Sequence, residues 1–272
     1  MNNKIPKIIH YCWFGKGLMP KSQIDCIKTW KKYMPDYEII RWDESNFDIN
    51  QFDFTREAYA RKKYSFVSDV VRHWALYNYG GIYLDTDVEL LKSLDEFLKY
   101  DVFSGIQVFP EYSNFKHKID NDGKPLNCNE VFTGSLGLNA AVIGATKYNT
   151  YIKECLEWFT SKNFILPNGQ EYTDIIQPAI MPHIALKYGF RYKDIEQVLM
   201  IADNELFYIG TEDTFASWEH PTSENTFLVH HSAQSWQPKT NKQKRELMLD
   251  KLHLLQVYKM IKGIKKKICS HL

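Results

Sequence analysis

The sequence lacks the marks of secreted, membrane-spanning and nucleic-acid-binding proteins. Its five cysteines are an odd number without a Cys-x-x-Cys pair, so we expect neither a disulfide framework nor a zinc knuckle. No apolar run approaches the roughly 18 residues that a spanning helix needs, and residues 1–7 contain no apolar signal core. The 34 Lys and Arg residues nearly balance the 33 Asp and Glu residues, which argues against a wholly basic nucleic-acid binder. We therefore expect a cytoplasmic protein whose membrane contact is at most peripheral.

The apolar content is high enough for a substantial core. Of the 272 residues, 44% are hydrophobic and 15% aromatic, which fits one globular domain over residues 1–238. Residues 7–14 are rich in β-branched and aromatic side chains and predict a strand, residues 22–32 predict a helix, and residues 37–42 predict a second strand. Strand, helix and strand in this order are typical of an α/β sheet.

A pair of aspartates follows the clearest helix and strand pattern of the chain. Residues 56–79 predict a long helix with an apolar stripe, Gly80-Gly81 predict its end, and residues 82–84 predict a buried strand. In an extended chain, residues two apart face the same way, so Asp85 and Asp87 can present both carboxylates to one point. Paired carboxylates at a sheet edge suit Mg²⁺ or Mn²⁺ and a phosphate-bearing ligand.

A second Asp-x-Asp sequence shows that the pattern alone is weak. Asp120 and Asp122 lie in a polar segment that ends at Gly123. Aspartates in such segments commonly accept hydrogen bonds from the backbone of a turn. We therefore expect a turn there and no metal site.

Three polar residues lie on the predicted 56–79 helix, on the face away from its apolar stripe. They are Ser68, Asp69 and Arg72, with Asp69 and Arg72 three residues apart. Two interpretations stay open. The two charges form an ordinary surface ion pair, or Asp69 accepts hydroxyl groups of a sugar or ribose while Arg72 meets a phosphate or sugar oxygen.

The C-terminal segment differs in charge from the rest of the chain. Residues 239–267 contain ten Lys or Arg residues and two acidic ones, and apolar residues recur there at spacings of three and four. This pattern predicts a basic amphipathic helical tail over residues 239–272. The tail is either a solvated or oligomer-forming helix, or a peripheral contact with an anionic membrane that salt would weaken.

Three blocks of the sequence together resemble a known family. They are residues 5–15, residues 68–87 with Asp85-Thr86-Asp87, and residues 230–236. The blocks resemble glycosyltransferase family 32, the Asp-x-Asp sugar-transferases of bacterial capsular and surface polysaccharide synthesis, distantly similar to the glucosylating domains of large clostridial toxins. The resemblance covers roughly residues 5–238. It implies a GT-A fold, a Rossmann-like α/β domain that binds a nucleotide-sugar, and retaining transfer assisted by Mn²⁺ or Mg²⁺.

The resemblance also implies roles for residues around the nucleotide. Trp13 would stack on the base, and Ser68 would assist in holding the base. Tyr83 would contact the nucleotide. Ser235 and Trp236 would hold the β-phosphate from the opposite side.

The charged residues of the central block are implied to hold the donor and the ion. Asp69 and Arg72 would bind the donor sugar and its phosphate. Asp85 would face the ribose and the metal, and Asp87 would ligate the metal directly. The leaving nucleoside diphosphate develops negative charge, which such an arrangement stabilises without a separate general acid.

One histidine of the C-terminal block is implied to be a further metal ligand. Because neighbouring strand residues face opposite ways, only one of His230 and His231 should point at the site, and the sequence leaves the choice open. Glu130, Asp174 and Gln177 are polar residues of the acceptor half, and we expect each to be ordinary surface. We assign no nucleophile.

These observations predict a hexosyltransferase. It would move a hexose or N-acetylhexosamine from a nucleotide-diphosphate sugar to a saccharide or lipid-linked saccharide in surface polysaccharide synthesis. We expect the donor to be a UDP-sugar. Two alternatives remain: a haloacid-dehalogenase-like phosphatase with Asp85 as nucleophile, and a non-catalytic saccharide-binding protein of the same fold. The phosphatase lacks a matching Gly-Asp-x-x-x-Asp motif. The non-catalytic alternative ranks low because Asp85, Asp87 and His230 are all present.

Overall fold

The structure is a computed structural model that describes residues 3–201, 204–217 and 220–232. The predicted basic tail, its boundary at residue 238, and the residues Ser235 and Trp236 lie outside the described residues and stay predictions. No helix in the described part of the chain is long and apolar enough to cross a membrane.

Within these ranges the chain forms eleven strands and six helices, joined by loops and short 3-10 turns. The strands are β1 (Ile8–Cys12), β2 (Glu38–Trp42), β3 (Gly81–Leu84), β4 (Val88–Leu90), β5 (Val102–Val108), β6 (Leu136–Leu138), β7 (Val142–Ala145), β8 (Gln197–Met200), β9 (Leu206–Gly210), β10 (Phe215–Ser217) and β11 (Leu228–His230). The helices are α1 (Lys21–Tyr33), α2 (Asp53–Ala60), α3 (Tyr64–Tyr79), α4 (Tyr112–Phe115), α5 (Thr150–Thr160) and α6 (Gln177–Ala185).

The strands belong to two sheets. The larger sheet has the order β2-β1-β3-β7-β5-β9-β8, with β6 paired to β5, and the smaller has the order β10-β11-β4. Strands β2, β1 and β3 are parallel, whereas β7 runs antiparallel to β3. The α/β class predicted from the sequence is confirmed. Since β3 belongs to the larger sheet and β4 to the smaller, the three residues between them connect the two sheets.

Two buried clusters form the core. Tyr83 belongs to the cluster that includes much of α3, α5 and α6, while its neighbours Ile82 and Leu84 belong to the other cluster. Because neighbouring strand residues face opposite ways, the two clusters cover opposite faces of β3. The end of β3 is therefore held between two packed layers.

The predicted helix over residues 56–79 is wrong as a single element. The structure has two helices there, α2 and α3, separated at residues 61–63. Lys62 has a left-handed backbone with φ of 59°, which cannot continue an α-helix. The Lys63 amide then donates to the Ala58 carbonyl and closes the first helix. The predicted apolar stripe survives, since it lies within α3.

The predicted end of that helix at two glycines is confirmed. Helix α3 ends at Tyr79, and the backbone of Gly80 and Gly81 has φ of 68° and 108°. A Cβ atom on Gly81 would lie 2.6 Å from the Ile8 carbonyl oxygen. Only glycine therefore lets the chain turn and pair β3 against β1 without strain.

Candidate metal centre

The acidic turn is fixed from both sides by backbone hydrogen bonds. The Asp85 amide donates to the Ala141 carbonyl at 2.9 Å, and the Val88 amide donates to the Asp85 carbonyl at 3.0 Å. Strand β11 pairs antiparallel with β4 and places His230 opposite Val88. The last residue of β11 is thereby brought beside the turn that carries both aspartates.

Three side chains converge at this turn. One ligand atom from each of Asp85, Asp87 and His230 lies within 4.8 Å of the other two. The His230 Nε2 atom is 3.5 Å from Asp87 Oδ1, and both side chains are about 15% exposed. Two carboxylates and an imidazole fit a divalent cation. The nitrogen donor favours Mn²⁺ over Mg²⁺, which prefers oxygen ligands.

The structure separates the two histidines that the sequence could not. The His231 ring lies on the exposed side and pairs with Glu89 at 2.9 Å, whereas His230 faces the aspartates. Within the described residues, the buried Nδ1 atom of His230 has no hydrogen-bond partner. The position of His230 suits a ligand, and a metal role for either histidine stays a prediction.

Arg72 lies directly beneath the aspartates. Its guanidinium is 2.9 Å from Asp69 Oδ1 and 3.6 Å from Asp85 Oδ1, and it donates to the Ala140 carbonyl. Arg72 is only 5% exposed. The surface ion pair considered from the sequence is therefore wrong, because the pair is buried against the site. The strand-end loop that supplies Ala140 covers it.

Tyr83 supports the centre from the interior. Its hydroxyl donates to Asp85 Oδ1 at 2.8 Å, and the Arg72 guanidinium lies 4.6 Å from the centre of its ring. The side chain is buried, so it orients Asp85 and packs under Arg72. Direct contact of Tyr83 with a nucleotide stays a prediction.

The buried charges shift one another's pKa values. Burial raises the pKa of Asp69 to about 6, and Arg72 opposes this rise while Asp85 adds to it. Burial alone would lower the pKa of Arg72, but the negative charge of Asp85, together with that of Asp69, outweighs burial and raises it. Arg72 is therefore permanently cationic, and Asp69 is mainly ionised at pH 7.

His230 experiences the same acidic field. Burial lowers its pKa, but the hydrogen bond to Asp87 and the charges of Asp87 and Asp85 raise it by more, so the net pKa lies above that of a free histidine. This rise is the signature of a position that attracts positive charge. A bound divalent cation would take the place of the proton.

The residues implied to hold the base lie at the neighbouring strand end. Trp13 directly follows β1, is partly exposed, and donates its indole N–H to the Gly17 carbonyl at 2.7 Å. Ser68 lies on α3, where its hydroxyl donates to the Tyr64 carbonyl and its own carbonyl accepts from Arg72 Nε. The parallel pairing of β1 with β3 brings Trp13 to the edge where Asp85 lies. Stacking on a base stays a prediction.

Two groups beside the site could not be recognised from the sequence. The Cys12 thiol is buried beside Arg72, Asp85 and Tyr83, and burial raises its pKa to about 12. The Ala140 carbonyl accepts a hydrogen bond from Arg72, and because it is a backbone group, no pattern of side chains predicts it. Both arrive through the fold, since β1 and the loop after β6 meet at this edge.

The remaining polar candidates fall elsewhere. The expectation that Gln177 is ordinary surface is wrong, since it is buried and hydrogen-bonded to the His73 ring. Glu130 pairs with Lys118. Asp174 is exposed, as expected.

The second Asp-x-Asp sequence forms the predicted turn. The Asp120 carboxylate accepts from the amides of Asp122 and Lys124 at 2.9 and 2.8 Å.

Residues 20–104 match the family model "Glycosyltransferase sugar-binding region containing DXD motif". The matched region contains α1, α3 and the turn with Asp85 and Asp87, so the motif named in that description coincides with two members of the converging cluster. The model covers the part of the chain that forms the acidic side of the centre. His230 lies outside it.

Curated relatives match about a third of the chain. Inositol phosphoceramide mannosyltransferase 3 of Schizosaccharomyces pombe is 39% identical over 100 residues, which cover 35% of this chain and 28% of the relative. Subversion of eukaryotic traffic protein A of Legionella pneumophila is 29% identical over 112 residues, covering 31% and 17%. The chain thus spans less than a third of either relative.

Solved structures with a similar arrangement include two glycosyltransferases. The galactosyltransferase LgtC, bound to donor and acceptor sugar analogues, is 14% identical with a TM-score of 0.41, covering 87% of this chain and 91% of LgtC. The PaToxG glycosyltransferase is 17% identical with a TM-score of 0.40, covering 67% and 69%.

Proposed function

We propose that this protein is a metal-dependent glycosyltransferase of GT-A fold. The observation that carries the proposal is the convergence of Asp85, Asp87 and His230 within 4.8 Å, inside and beside a region that matches a sugar-binding DXD family. The cluster provides the ligands for a divalent cation. The matched region supplies the chemical class of the reaction.

The donor in this proposal is a nucleoside diphosphate sugar, and a UDP-sugar is the first candidate. Asp85, Asp87 and His230 would hold Mn²⁺, which when bound supplies positive charge against the diphosphate. Arg72 adds a fixed positive charge beneath the same turn, where the leaving group gains negative charge. Asp69 holds the Arg72 guanidinium in place.

The transfer is proposed to retain the configuration of the sugar. Retention requires either a carboxylate nucleophile or attack by the acceptor on the same face of the sugar from which the leaving phosphate departs. Asp69 is committed to Arg72, and Asp85 accepts from Tyr83. We favour same-face attack, in which the departing phosphate accepts the proton of the acceptor hydroxyl and no protein nucleophile is needed.

A mannosyl donor is the second candidate. The Schizosaccharomyces relative, which is 39% identical over 100 residues, is named for mannosyl transfer to inositol phosphoceramide. The acceptor would be a saccharide or a lipid-linked saccharide of a surface polysaccharide, reached from the cytoplasm. A phosphatase with Asp85 as nucleophile is not favoured, because Asp85 lies within the glycosyltransferase match.

The test is a donor panel. Purified protein is incubated with Mn²⁺ and UDP-glucose, UDP-galactose, UDP-N-acetylglucosamine or GDP-mannose, and release of the nucleoside diphosphate is followed with and without EDTA. We expect release from one donor that EDTA abolishes and Asp120→Asn leaves intact. If no donor is turned over and calorimetry shows donor binding, the protein is a saccharide-binding relative. If calorimetry also shows no binding, the proposal fails.

A further inference from the structure

The outward face of α1 and the loop before it expose apolar residues among lysines. Leu18, at the tip of the loop, is 97% exposed, and Ile24 on α1 is 42% exposed. Lys21, Ile24, Lys28 and Lys31 follow one another at spacings of three and four, and Lys32 follows Lys28 by four, so all five share one stripe of the helix. We call Leu18 together with this stripe the α1 face.

The exposure of the α1 face is a fixed property of the fold. The opposite side of α1 is buried through Gln23, Cys26 and Trp30. The Trp30 indole donates to the Val88 carbonyl at 2.7 Å, and the Thr29 hydroxyl accepts from the Leu90 amide at 2.9 Å. These bonds fix the rotation of the helix about its axis and leave the lysine stripe facing outward.

The loop that carries Leu18 is anchored at its base. The Gly15 amide donates to Glu44 at 2.6 Å, and Gly15 has φ of 92°. A Cβ atom on Gly15 would overlap the Tyr64 ring, so the backbone is packed closely there. Leu18 therefore projects from a fixed turn and has no apolar neighbour to cover it.

The charge of this region is strongly positive. Residues 16–32 contain five lysines and one acidic residue, Asp25, which pairs with Lys28. Within the described residues, no ion pair joins Lys16, Lys31 or Lys32 to a carboxylate. The chain as a whole carries a formal charge of only +1, so this density is local.

We propose that the α1 face docks on an anionic lipid bilayer. Lysines attract anionic headgroups, each contributing about fivefold to binding near such a surface. Leu18 and Ile24 then enter the boundary between headgroups and acyl chains, which removes their apolar surface from water. A nucleic acid would satisfy the lysines but offers no matching apolar layer for Leu18.

This surface lies close to the candidate metal centre. Helix α1 packs on β4, and β4 begins at the residue after Asp87. Since a helix with its side chains is about 10 Å across, docking would hold the acidic turn roughly one helix diameter from the bilayer. The face is distinct from the basic tail predicted over residues 239–272.

The test measures co-sedimentation of the full chain with vesicles of phosphatidylcholine alone or mixed with phosphatidylserine. We expect binding only to the mixed vesicles. The triple variant Lys21→Gln, Lys31→Gln, Lys32→Gln should lower the partition coefficient by on the order of 100-fold at low salt. The matched control changes three exposed lysines elsewhere and should bind like the parent: Lys99→Gln, Lys116→Gln, Lys147→Gln.

The apolar contact has its own pair of variants. Leu18→Asp should weaken binding at high salt as well as at low salt, and Leu126→Asp, at another exposed leucine, should not. Absence of binding by the parent, equal losses in the two lysine triples, or unchanged binding by Leu18→Asp would each overturn the proposal. These readouts require no donor or acceptor, so they are independent of the proposed transferase activity.

Discussion

The Arg72 guanidinium lies 3.6 Å from the Asp85 carboxylate and so ties helix α3 to the end of strand β3. The same guanidinium is 2.9 Å from Asp69, so one buried cation serves two carboxylates. Such an arrangement is stable only while the cation is present, because two like charges in a buried place repel each other. The first prediction follows from this dependence of both carboxylates on Arg72.

Arg72→Gln should destabilise the fold by about 3 kcal/mol at pH 7, since it leaves Asp69 and Asp85 without their shared counter-ion. Urea unfolding followed by circular dichroism measures this. Arg56→Gln removes an exposed ion pair with Asp53 and should cost less than about 1 kcal/mol. Equal effects of the two substitutions would show that burial of Arg72 contributes nothing.

Asp87→Asn should keep the fold but lose Mn²⁺ binding and donor turnover. The amide has nearly the volume of the carboxylate but loses its charge, and we expect turnover to fall by at least about 100-fold. Electron paramagnetic resonance of free Mn²⁺ reports the binding. Asp120→Asn, in the other Asp-x-Asp sequence, is the control and should behave like the parent. Parent-like Mn²⁺ binding by Asp87→Asn would remove Asp87 from the site.

The two histidines should differ in the same assay. His230→Ala should weaken Mn²⁺ binding, because the His230 ring faces Asp87 at 3.5 Å. His231→Ala should leave binding unchanged, because His231 pairs with Glu89 on the exposed side. The reverse order would mean that β11 presents its other face to the ion.

His10 should make the fold sensitive to acid. Its Nδ1 accepts from Trp42 and its Nε2 donates to the Gly80 carbonyl, and burial lowers its pKa to about 4. In the unfolded chain the imidazole binds a proton near its ordinary pKa of about 6.5. The unfolded state therefore binds more protons between these values, and stability falls as the pH decreases from 6.5 to 4, by about 3 kcal/mol in total.

His10→Gln should remove this pH dependence. The free energy of unfolding of the parent and the variant is measured by urea titration at several pH values from about 4 to about 8. The difference between them should change across the lower part of this interval and be constant above pH 7. A constant difference throughout would contradict the prediction that His10 is buried in its neutral form.

Local patterns predicted the elements that carry the acidic pair. The apolar stripe of α3, the two glycines after it and the short strand before Asp85 depend on neighbours within a few residues, and all three are confirmed. The break at Lys62 was missed, because a left-handed residue between two helical segments leaves no mark on the apolar pattern.

The environment of the site depended on contacts between distant residues. Burial of Arg72 requires the Ala140 carbonyl, 68 residues further along the chain. The choice of His230 over His231 follows from the pairing of β11 with β4, which the sequence does not state. No residue near Gln177 in the sequence predicts its burial against the His73 ring.

The acidic turn joins two sheets, and this has a mechanical consequence. Asp85 directly follows a strand of the larger sheet, while His230 ends a strand of the smaller one. The spacing of their ligand atoms is therefore set by how closely the two layers lie against each other. A cation bound by both residues would link the two sheets. The free energy of cation binding would also oppose separation of the two sheets. Binding of the cation should therefore make the arrangement of the sheets more rigid.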